Sequence, residues 1–362
     1  MPVLETLDLC QRFDEQDILK NINLKVDKGE VFALIGPTGT GKTTLLRLLS
    51  TLELPFSGKI LIDGIDTSES AGIRLGVRRR MAFVLQKPVV FNMNVYDNIA
   101  IGLRWRGLNK TDIREKTDSM LEMVGLSEYR KRNARTLSGG EMQRVAIGRA
   151  LITGPEILLL DEPGANLDPV TAIRIEELLM DFIHRDNITT ILATHDMSQG
   201  QRMADRVAVL LNGEISQTGD WQNVFGSPRN KEIASFVGME NMIDGEIVSG
   251  QDKLVAIKAG DNIIEAISDF PMGEKVCACI RPEDITISTS RTSTSARNSF
   301  TGKIKSSVSS GALTRINVDC GFPLVVLVTS RSAGELGLEK GKQVFASFKA
   351  TGVHVIKRDG DS

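Results

Sequence analysis

The sequence predicts a fold in two parts, an α/β domain followed by an all-β module. Up to about residue 235, strand-like apolar runs alternate with helical patterns, which is typical of a largely parallel sheet covered by helices. From residue 236 the runs become short and alternating, with Gly, Asp and Ser between them, as in small β-barrels. At 362 residues the chain is long enough for both parts.

The first domain, 1–235, is predicted from five strand-like runs, "VFALIG", "RMAFVLQ", "EILLLDE", "TTILATH" and "RVAVLLN". The stretch from about 90 to 152 interrupts this alternation. It carries "DNIAIGL", "TDIREKTDSMLEMVGL" and "GEMQRVAIGRAL", which are apolar at helical spacing with no strand between them. The sequence therefore predicts a helical subdomain inserted into the α/β domain.

The second domain, 236–362, contains a weak internal repeat at about 242–289 and 294–358. The openings "DGEIVS" and "TGKIKS" and the closings "GEKVCACI" and "GKQVFASF" resemble one another. We therefore expect a tandem pair of small, OB-like barrels.

Composition excludes several classes of protein. The net charge of −2 gives no basic field for nucleic acid, and the basic runs "RRR" and "YRKR" lack the interleaved aromatic residues that would stack on bases. No apolar run is long enough to span a bilayer, and the first ten residues do not predict a signal peptide. The four scattered cysteines, including the "CAC" pair, indicate core packing in a reducing compartment.

The run "VFALIGPTGTGKTTLL" predicts a strand, a glycine-rich turn and a helix start. Backbone N–H groups of such a turn can wrap a polyphosphate, and the helix N-terminus adds partial positive charge. Lys42 can reach the β- and γ-phosphates and the Thr43 hydroxyl can ligate Mg²⁺. The predicted nucleotide-binding residues are Gly36, Pro37, Thr38, Gly39, Thr40, Gly41, Lys42, Thr43 and Thr44.

The apolar run "EILLLDEP" ends in two carboxylates. Next to a phosphate-binding loop, Asp161 is expected to hold Mg²⁺ and Glu162 to orient and polarise the attacking water. A strand that simply ends in acidic residues is common, so this signal depends on the loop.

The run "LSGGEMQRVAIGRAL" supplies a second anion-binding helix start, with Ser138, Gly139, Gly140 and Glu141 at its head. A second phosphate-binding loop in one chain is redundant unless it serves the nucleotide of another subunit. Here the chain resembles the ATP-binding cassette (ABC) ATPases, whose signature is "LSGGE". The resemblance covers the first 235 residues and implies a P-loop NTPase cassette with a helical subdomain.

Other motifs extend this resemblance. Gln86 matches the glutamine loop that touches Mg²⁺ and water, Asp168 the D-loop at the dimer interface, and His195 the switch histidine at the γ-phosphate. Phe13 matches the aromatic position that stacks on adenine. Two features depart from the pattern: the D-loop reads "GANLD", and Leu85 stands where an aromatic residue is usual. Neither removes a catalytic group.

The resemblance implies ATP and Mg²⁺ as cofactors, and a homodimer that closes on ATP. It also implies a two-subunit membrane permease that contacts the helical subdomain and the Gln86 loop, and, indirectly, a periplasmic or extracellular solute-binding protein. The chain is then expected at the cytoplasmic face of the membrane. The stretch "NVYDNIAIGLRWRG" would receive the permease, although an ordinary solvated helix explains Trp105 and its arginines equally well.

The run "RTSTSARNSF" can be a flexible linker or an anion site, and its composition alone favours the linker. "SARN" and the C-terminal "FKATGVHV" resemble the oxyanion-binding domain of molybdate- and tungstate-handling proteins. A tetrahedral dianion needs hydroxyl and N–H donors with one or two cations. We therefore expect a linker at 288–293 and an oxyanion site formed by Thr294, Ser295, Arg297, Asn298, Lys349 and Thr351.

The predicted function is that of an ATP-hydrolysing subunit of an ABC importer for molybdate or tungstate, with a C-terminal domain that senses the oxyanion. Two alternatives stay open. The chain could energise import of a sugar or another solute, because "RPEDI" is shared by many such importers. It could also be a non-transport ABC ATPase acting on DNA or the ribosome, but it lacks the tandem cassettes, coiled coils or basic extensions usual there.

Overall fold

The computed structural model describes residues 2–291 and 294–358, and the chain divides into two units, Met1–Val224 and Phe225–Ser362. Two residues of the predicted linker, Thr292 and Ser293, lie outside the described residues. The domain boundary after residue 235 stays a prediction.

The first unit combines two sheets with helices. Its strands are β1 (Pro2–Phe13), β2 (Gln16–Asp27), β3 (Val31–Ile35), β4 (Ser57–Ile62), β5 (Ile65–Asp66), β6 (Met81–Val84), β7 (Ile157–Asp161), β8 (Thr189–Thr194), β9 (Arg206–Leu211) and β10 (Glu214–Gly219). Its helices are α1 (Lys42–Leu49), α2 (Ala71–Arg79), α3 (Val95–Trp105), α4 (Lys110–Met123), α5 (Gly139–Leu151), α6 (Pro169–Asp186) and α7 (Met197–Met203). Two short helices follow, α8 (Trp221–Gly226) and α9 (Lys231–Phe236).

The central sheet of the first unit has the strand order β10-β9-β3-β8-β7-β6. All of its pairs are parallel except β10 with β9. The five apolar runs of the sequence form the five parallel strands, and every residue of β3, β7 and β8 is buried. The predicted α/β fold is therefore confirmed. An antiparallel sheet, β2-β1-β4-β5, completes the unit.

The stretch between β6 and β7 is helical, as its periodicity predicts. Helices α3, α4 and α5 lie there, and they share one apolar core through Ile99, Leu103, Leu121, Val145 and Ile147. The helical insertion thus buries its own apolar faces, which is why it interrupts the strand–helix alternation without disturbing the parallel sheet.

The second unit is built from two antiparallel sheets. Its strands are β11 (Asn241–Gln251), β12 (Leu254–Ala259), β13 (Asn262–Ile267), β14 (Lys275–Ile280), β15 (Thr286–Ser288), β16 (Asn298–Ser310), β17 (Leu313–Asp319), β18 (Pro323–Thr329), β19 (Gln343–Phe348) and β20 (His354–Lys357), with helix α10 (Ser330–Glu335). The strand orders are β13-β12-β11-β14-β20 and β15-β19-β16-β17-β18.

The two repeats exchange their last strands, which the sequence did not reveal. β15 belongs to the first repeat but pairs with β19 of the second, and β20 of the second repeat pairs with β14 of the first. Each five-stranded sheet therefore needs both repeats. Residues of both sheets pack into one apolar core, so we expect the repeats to fold together.

Two buried asparagines connect the sheets in a reciprocal way. Asn298, at the start of β16, accepts a hydrogen bond from the N–H of Glu265 and donates one to its carbonyl oxygen, both at 2.8 Å. Asn241, at the start of β11, makes the same pair of bonds with Val325, at 2.6 and 2.9 Å. Glu265 and Val325 lie on the edge strands β13 and β18, so each amide side chain satisfies an otherwise open strand edge.

We expect Asn298→Ala to lower the free energy of unfolding of the second unit by about 1–3 kcal/mol, because it leaves the Glu265 N–H and C=O without these partners. Urea denaturation of the full chain measures the change. Ser299→Ala, one residue further on at an exposed position, is the matched control and should change stability by less than about 0.5 kcal/mol. Equal stability of both variants would contradict the role given to the Asn298 amide.

Cys10, Cys277, Cys279 and Cys320 are free thiols, and the last three are buried in the second unit. Burial raises the pKa of Cys320 to about 11. Among the described residues, no helix has the length and apolarity that crossing a membrane requires.

Candidate functional site

The glycine-rich loop joins β3 to α1 at the carboxyl end of the parallel sheet. Gly41 caps α1 with a φ of 101°, a left-handed conformation that side chains with a Cβ rarely adopt. The ammonium group of Lys42 donates hydrogen bonds to the carbonyl oxygens of Gly36, at 2.7 Å, and Pro37, at 2.9 Å. Burial lowers the pKa of Lys42, against the opposing effect of Glu162 and Asp161. The loop thus holds one buried cation at its centre.

Thr43 and Asp161 form a pair of oxygen ligands beside the loop. The Thr43 hydroxyl donates to both carboxylate oxygens of Asp161, at 3.1 and 2.9 Å. Burial raises the pKa of Asp161, while the Thr43 bond acts in the opposite direction. A hydroxyl and a carboxylate are hard oxygen donors of the kind Mg²⁺ prefers, so these residues fit the metal that accompanies a nucleoside triphosphate.

Glu162 follows β7 in a left-handed backbone conformation with a φ of 46°. Its carboxylate lies between two side chains: the Gln86 amide donates to Oε2 at 2.8 Å, and His195 Nδ1 lies 2.8 Å from Oε1. Such a backbone costs of order 1–3 kcal/mol in a residue other than glycine and persists where neighbouring contacts fix it. The carboxylate is therefore held in one orientation by its backbone and by two partners.

These residues share a cavity of about 400 Å³. It is lined by Phe13, Ile18, Thr38, Gly39, Gly41, Lys42, Thr43, Thr44, Gln86, Glu162 and His195. Phe13 lines the cavity and is 46% exposed. Of the other predicted residues, Gly36, Pro37 and Thr40 belong to the loop without lining the cavity, and Asp161 is reached through Thr43.

The residues of the second anion-binding motif line a different cavity of about 370 Å³. Ser138 caps α5, and Glu141 accepts hydrogen bonds from its N–H, at 2.8 Å, and its hydroxyl, at 2.9 Å. The Ser138 N–H bond lowers the pKa of Glu141. Gly139, Gly140 and Asp168 line the same cavity, and Asp168 also caps α6. This cavity shares no lining residue with the cavity of Lys42, so the two motifs of one chain do not form one site.

A cavity of about 610 Å³ in the second unit contains four of the six residues predicted for an oxyanion. Thr294, Ser295, Lys349 and Thr351 line it, and the Lys349 ammonium makes no hydrogen bond or ion pair among the described residues. The other lining residues include hydroxyl groups that the sequence did not single out and two carboxylates: Thr286, Ser288, Ser347, Glu283 and Asp284. Burial, with Glu283 beside it, raises the pKa of Asp284.

The remaining two predicted residues lie outside this cavity. Arg297 forms an ion pair with Glu265 at 3.1 Å. Asn298 is 2% exposed, and its side-chain amide is hydrogen-bonded to the backbone N–H and C=O of Glu265. The structure therefore gives Arg297 and Asn298 contacts within the fold, where the sequence predicted ligands. A signal for this was available, since Asn298 aligns with Asn241 in "NSFTGKI" and "NMIDGEI".

Comparison with known proteins gives matches in both units. Residues 19–165 match the family model described as ABC transporter, and residues 294–355 match the TOBE domain. The molybdate/tungstate import ATP-binding protein WtpC of Pyrococcus horikoshii is 38% identical over 340 residues, covering 93% of this chain and 95% of the relative. The chain belongs to the ABC transporter family. It is an ABC-type ATPase of the importer branch.

One further relative and one solved structure show which properties the similarity supports. The spermidine/putrescine import ATP-binding protein PotA of Hahella chejuensis is 37% identical, covering 79% of this chain and 78% of the relative. Identity therefore does not separate oxyanion from polyamine importers. A solved dimeric ATP-binding cassette in a post-hydrolysis state, bound to ADP and Pi, is 28% identical with a TM-score of 0.56, covering 60% of this chain and 98% of that one.

Proposed function

We propose that this chain is the ATP-hydrolysing subunit of an importer for molybdate or tungstate, and that its second unit binds the same oxyanion in the cytoplasm. The observation that carries the oxyanion assignment is the cavity in which hydroxyl groups and the uncommitted ammonium of Lys349 face one space. The resemblance to the molybdate/tungstate relative over 93% of the chain supports it.

The proposed mechanism of hydrolysis assigns one task to each residue of the Lys42 cavity. Lys42 and the loop N–H groups bind the phosphates, while Phe13 stacks on adenine. Thr43, Asp161 and Gln86 would hold Mg²⁺, which when bound would neutralise charge on the phosphates. Glu162 accepts the proton of the attacking water, and Gln86 and His195 keep its carboxylate in place. His195 also contacts the γ-phosphate.

In a homodimer, each ATP would be bound by residues of both chains. One chain's Lys42 cavity and signature cavity have no residue in common, so we propose that Ser138, Gly139, Gly140 and Asp168 act on the nucleotide of a second copy. The similarity to a dimeric cassette bound to ADP and Pi supports this arrangement. Closure of the pair on ATP and reopening after hydrolysis would supply the mechanical step of import.

A groove of about 500 Å³ between β6 with its following loop and helices α3 and α5 of the helical subdomain is the proposed docking site for the two-subunit permease. Leu85, Val89 and Trp105 line it, with Trp105 74% exposed, and four arginines border it. Such a mixed apolar and basic groove suits an amphipathic helix of a membrane partner. Docking there would hold the chain at the cytoplasmic face of the membrane, with a solute-binding protein on the opposite side.

A second candidate function is import of a cationic solute such as a polyamine. Glu283 and Asp284 line the cavity of the second unit and oppose anion binding, and the relative from Hahella chejuensis is named for spermidine and putrescine. Reconstitution discriminates between the two candidates. The membrane complex is isolated through a tag on this chain, and ATP-driven uptake of molybdate, tungstate and spermidine is measured in proteoliposomes. We expect oxyanion uptake; uptake of spermidine alone would refute the proposal.

We expect Lys349→Ala to weaken tungstate binding to the full chain by about 10- to 100-fold, because a hydrogen bond to a charged group contributes about 1.5–3 kcal/mol. Isothermal titration measures the change. Arg297→Ala is the matched control, since Arg297 lies outside the cavity and pairs with Glu265.

Substitution of an acidic residue that lines the cavity should have the opposite effect on tungstate affinity. Asp284→Asn removes a negative charge facing the anion, and we expect it to tighten tungstate binding. Because the pKa of Asp284 is raised, wild-type binding should also strengthen as the pH falls and this carboxyl is protonated. Equal affinities in wild type, Lys349→Ala and Asp284→Asn would exclude this cavity as the site.

A further inference from the structure

The D-loop of this chain departs from the usual importer sequence at "GANLD", and Gly164 at its start is tightly packed. A Cβ added to Gly164 would lie 3.3 Å from the Ala172 Cβ and 3.3 Å from Gln199 Nε2. Ala172 belongs to α6 and Gln199 to α7, so the D-loop backbone lies against both helices. A methyl group at this position would require Ala172 and Gln199 to shift by a few tenths of an ångström.

Gln199 is held in place by a buried carboxylate. Its amide donates to Glu176 Oε1 at 3.1 Å, and Glu176 is 5% exposed. The Arg202 guanidinium donates two further bonds to Glu176, at 2.8 and 2.9 Å. These bonds raise the pKa of Arg202. Three donors from α7 thus converge on one carboxylate of α6; we call Glu176, Gln199 and Arg202 the α6–α7 cluster.

The two helices joined by this cluster begin at functional loops. Helix α6 starts where the D-loop ends, with Asp168 as its cap. Helix α7 starts directly after His195, and its cap Asp196 accepts bonds from the N–H groups of Ser198 and Gln199. The hydrogen bonds of the α6–α7 cluster therefore fix the position of the D-loop relative to the switch histidine.

The cluster also borders the catalytic carboxylate without touching it. Glu176 and Gln199 line a cavity of about 330 Å³ together with Gln86, Glu162 and His195. The side-chain hydrogen bonds of Glu176 and Gln199 go to one another and to Arg202, and among the described residues none goes to Glu162 or His195. Their influence on hydrolysis must therefore pass through the positions of the helices and loops.

We propose that Glu176, Gln199 and Arg202 are positioning residues for ATP hydrolysis, which hold the D-loop and His195 at a fixed spacing around Glu162. This inference rests on the roles proposed above for Glu162 and His195. If the cluster had only a structural role, its substitution would lower the Tm and leave kcat unchanged. A positioning role predicts instead that kcat falls while the Kd for ATP stays the same.

The test compares Glu176→Gln with wild type in the full-length chain. We expect kcat for ATP hydrolysis to fall by about 10- to 100-fold, because small misplacements of catalytic groups have effects of that size. The Kd for ATP, measured by equilibrium titration, should change by less than about threefold. Arg185→Gln is the matched control: it breaks the ion pair with Asp186 at the other end of α6 and should leave kcat unchanged.

A milder variant keeps the test decisive where Glu176→Gln fails to fold. Arg202→Lys keeps the charge but loses the two-pronged contact, and we expect an intermediate kcat with an unchanged Kd for ATP. A kcat within twofold of wild type in the folded variants, with only a lower Tm, would overturn the positioning role. Glu162→Gln is assayed in parallel, since its retention of activity would instead overturn the proposed site.

Discussion

Glu162→Gln should reduce ATP hydrolysis by about 10²- to 10⁴-fold, the usual contribution of a positioned general base. The amide has almost the same shape as the carboxylate, so contacts with Gln86 and His195 can persist while the proton acceptor is lost. Asp161, Thr43 and Lys42 are unchanged, and ATP affinity should stay within a few-fold of wild type. Phosphate release and equilibrium ATP titration measure the two quantities.

The same variant should accumulate as a dimer in ATP, because closure precedes hydrolysis in the proposed cycle. Light scattering with size-exclusion chromatography reports the mass with and without ATP. Glu177→Gln, at an exposed position of α6, is the control and should behave as wild type. Hydrolysis by Glu162→Gln at near the wild-type rate would show that another group accepts the proton.

Lys42→Ala should weaken ATP binding by about 10- to 100-fold or more, because it removes a cation that the loop already surrounds. The ammonium is bound to the carbonyl oxygens of Gly36 and Pro37, and it can exchange these partners for phosphate oxygens at little cost in conformation. Hydrogen bonds to charged groups contribute about 1.5–3 kcal/mol, and every 1.4 kcal/mol is tenfold in affinity.

The control for this prediction is Lys20→Ala, an exposed lysine of β2. It removes the same charge from the chain without touching the loop. A loss of ATP affinity of the same size in Lys20→Ala and Lys42→Ala would therefore reflect net charge alone. Lys42→Ala with unchanged ATP affinity would contradict the phosphate-binding role of the loop.

The α/β fold was predictable from sequence because its signals are local. Buried parallel strands leave uninterrupted apolar runs such as "EILLLDE", and the phosphate loop leaves fixed glycine spacing. The run "EILLLDE" beside the phosphate loop was enough to predict Glu162, whereas His195 was predicted from its match to the switch histidine of the ABC family.

The second unit was harder because its decisive contacts are nonlocal. The exchange of β15 and β20 leaves no mark on either strand, since alternating residues fit any antiparallel partner. "SARN" gives polar neighbours without saying which way each one points, and the fold turns Ser295 to the cavity and Asn298 to Glu265. Glu176 in the middle of α6 also gives no sequence signal of burial.

The central claim, an importer ATPase that binds the oxyanion it transports, is tested most directly by titrating the full chain with tungstate and molybdate, and with spermidine as the competing ligand. We expect saturable binding of both oxyanions, weakened in Lys349→Ala and retained in Arg297→Ala, with no heat from spermidine. The absence of a binding signal with both oxyanions, or saturable binding of spermidine alone, would contradict the account.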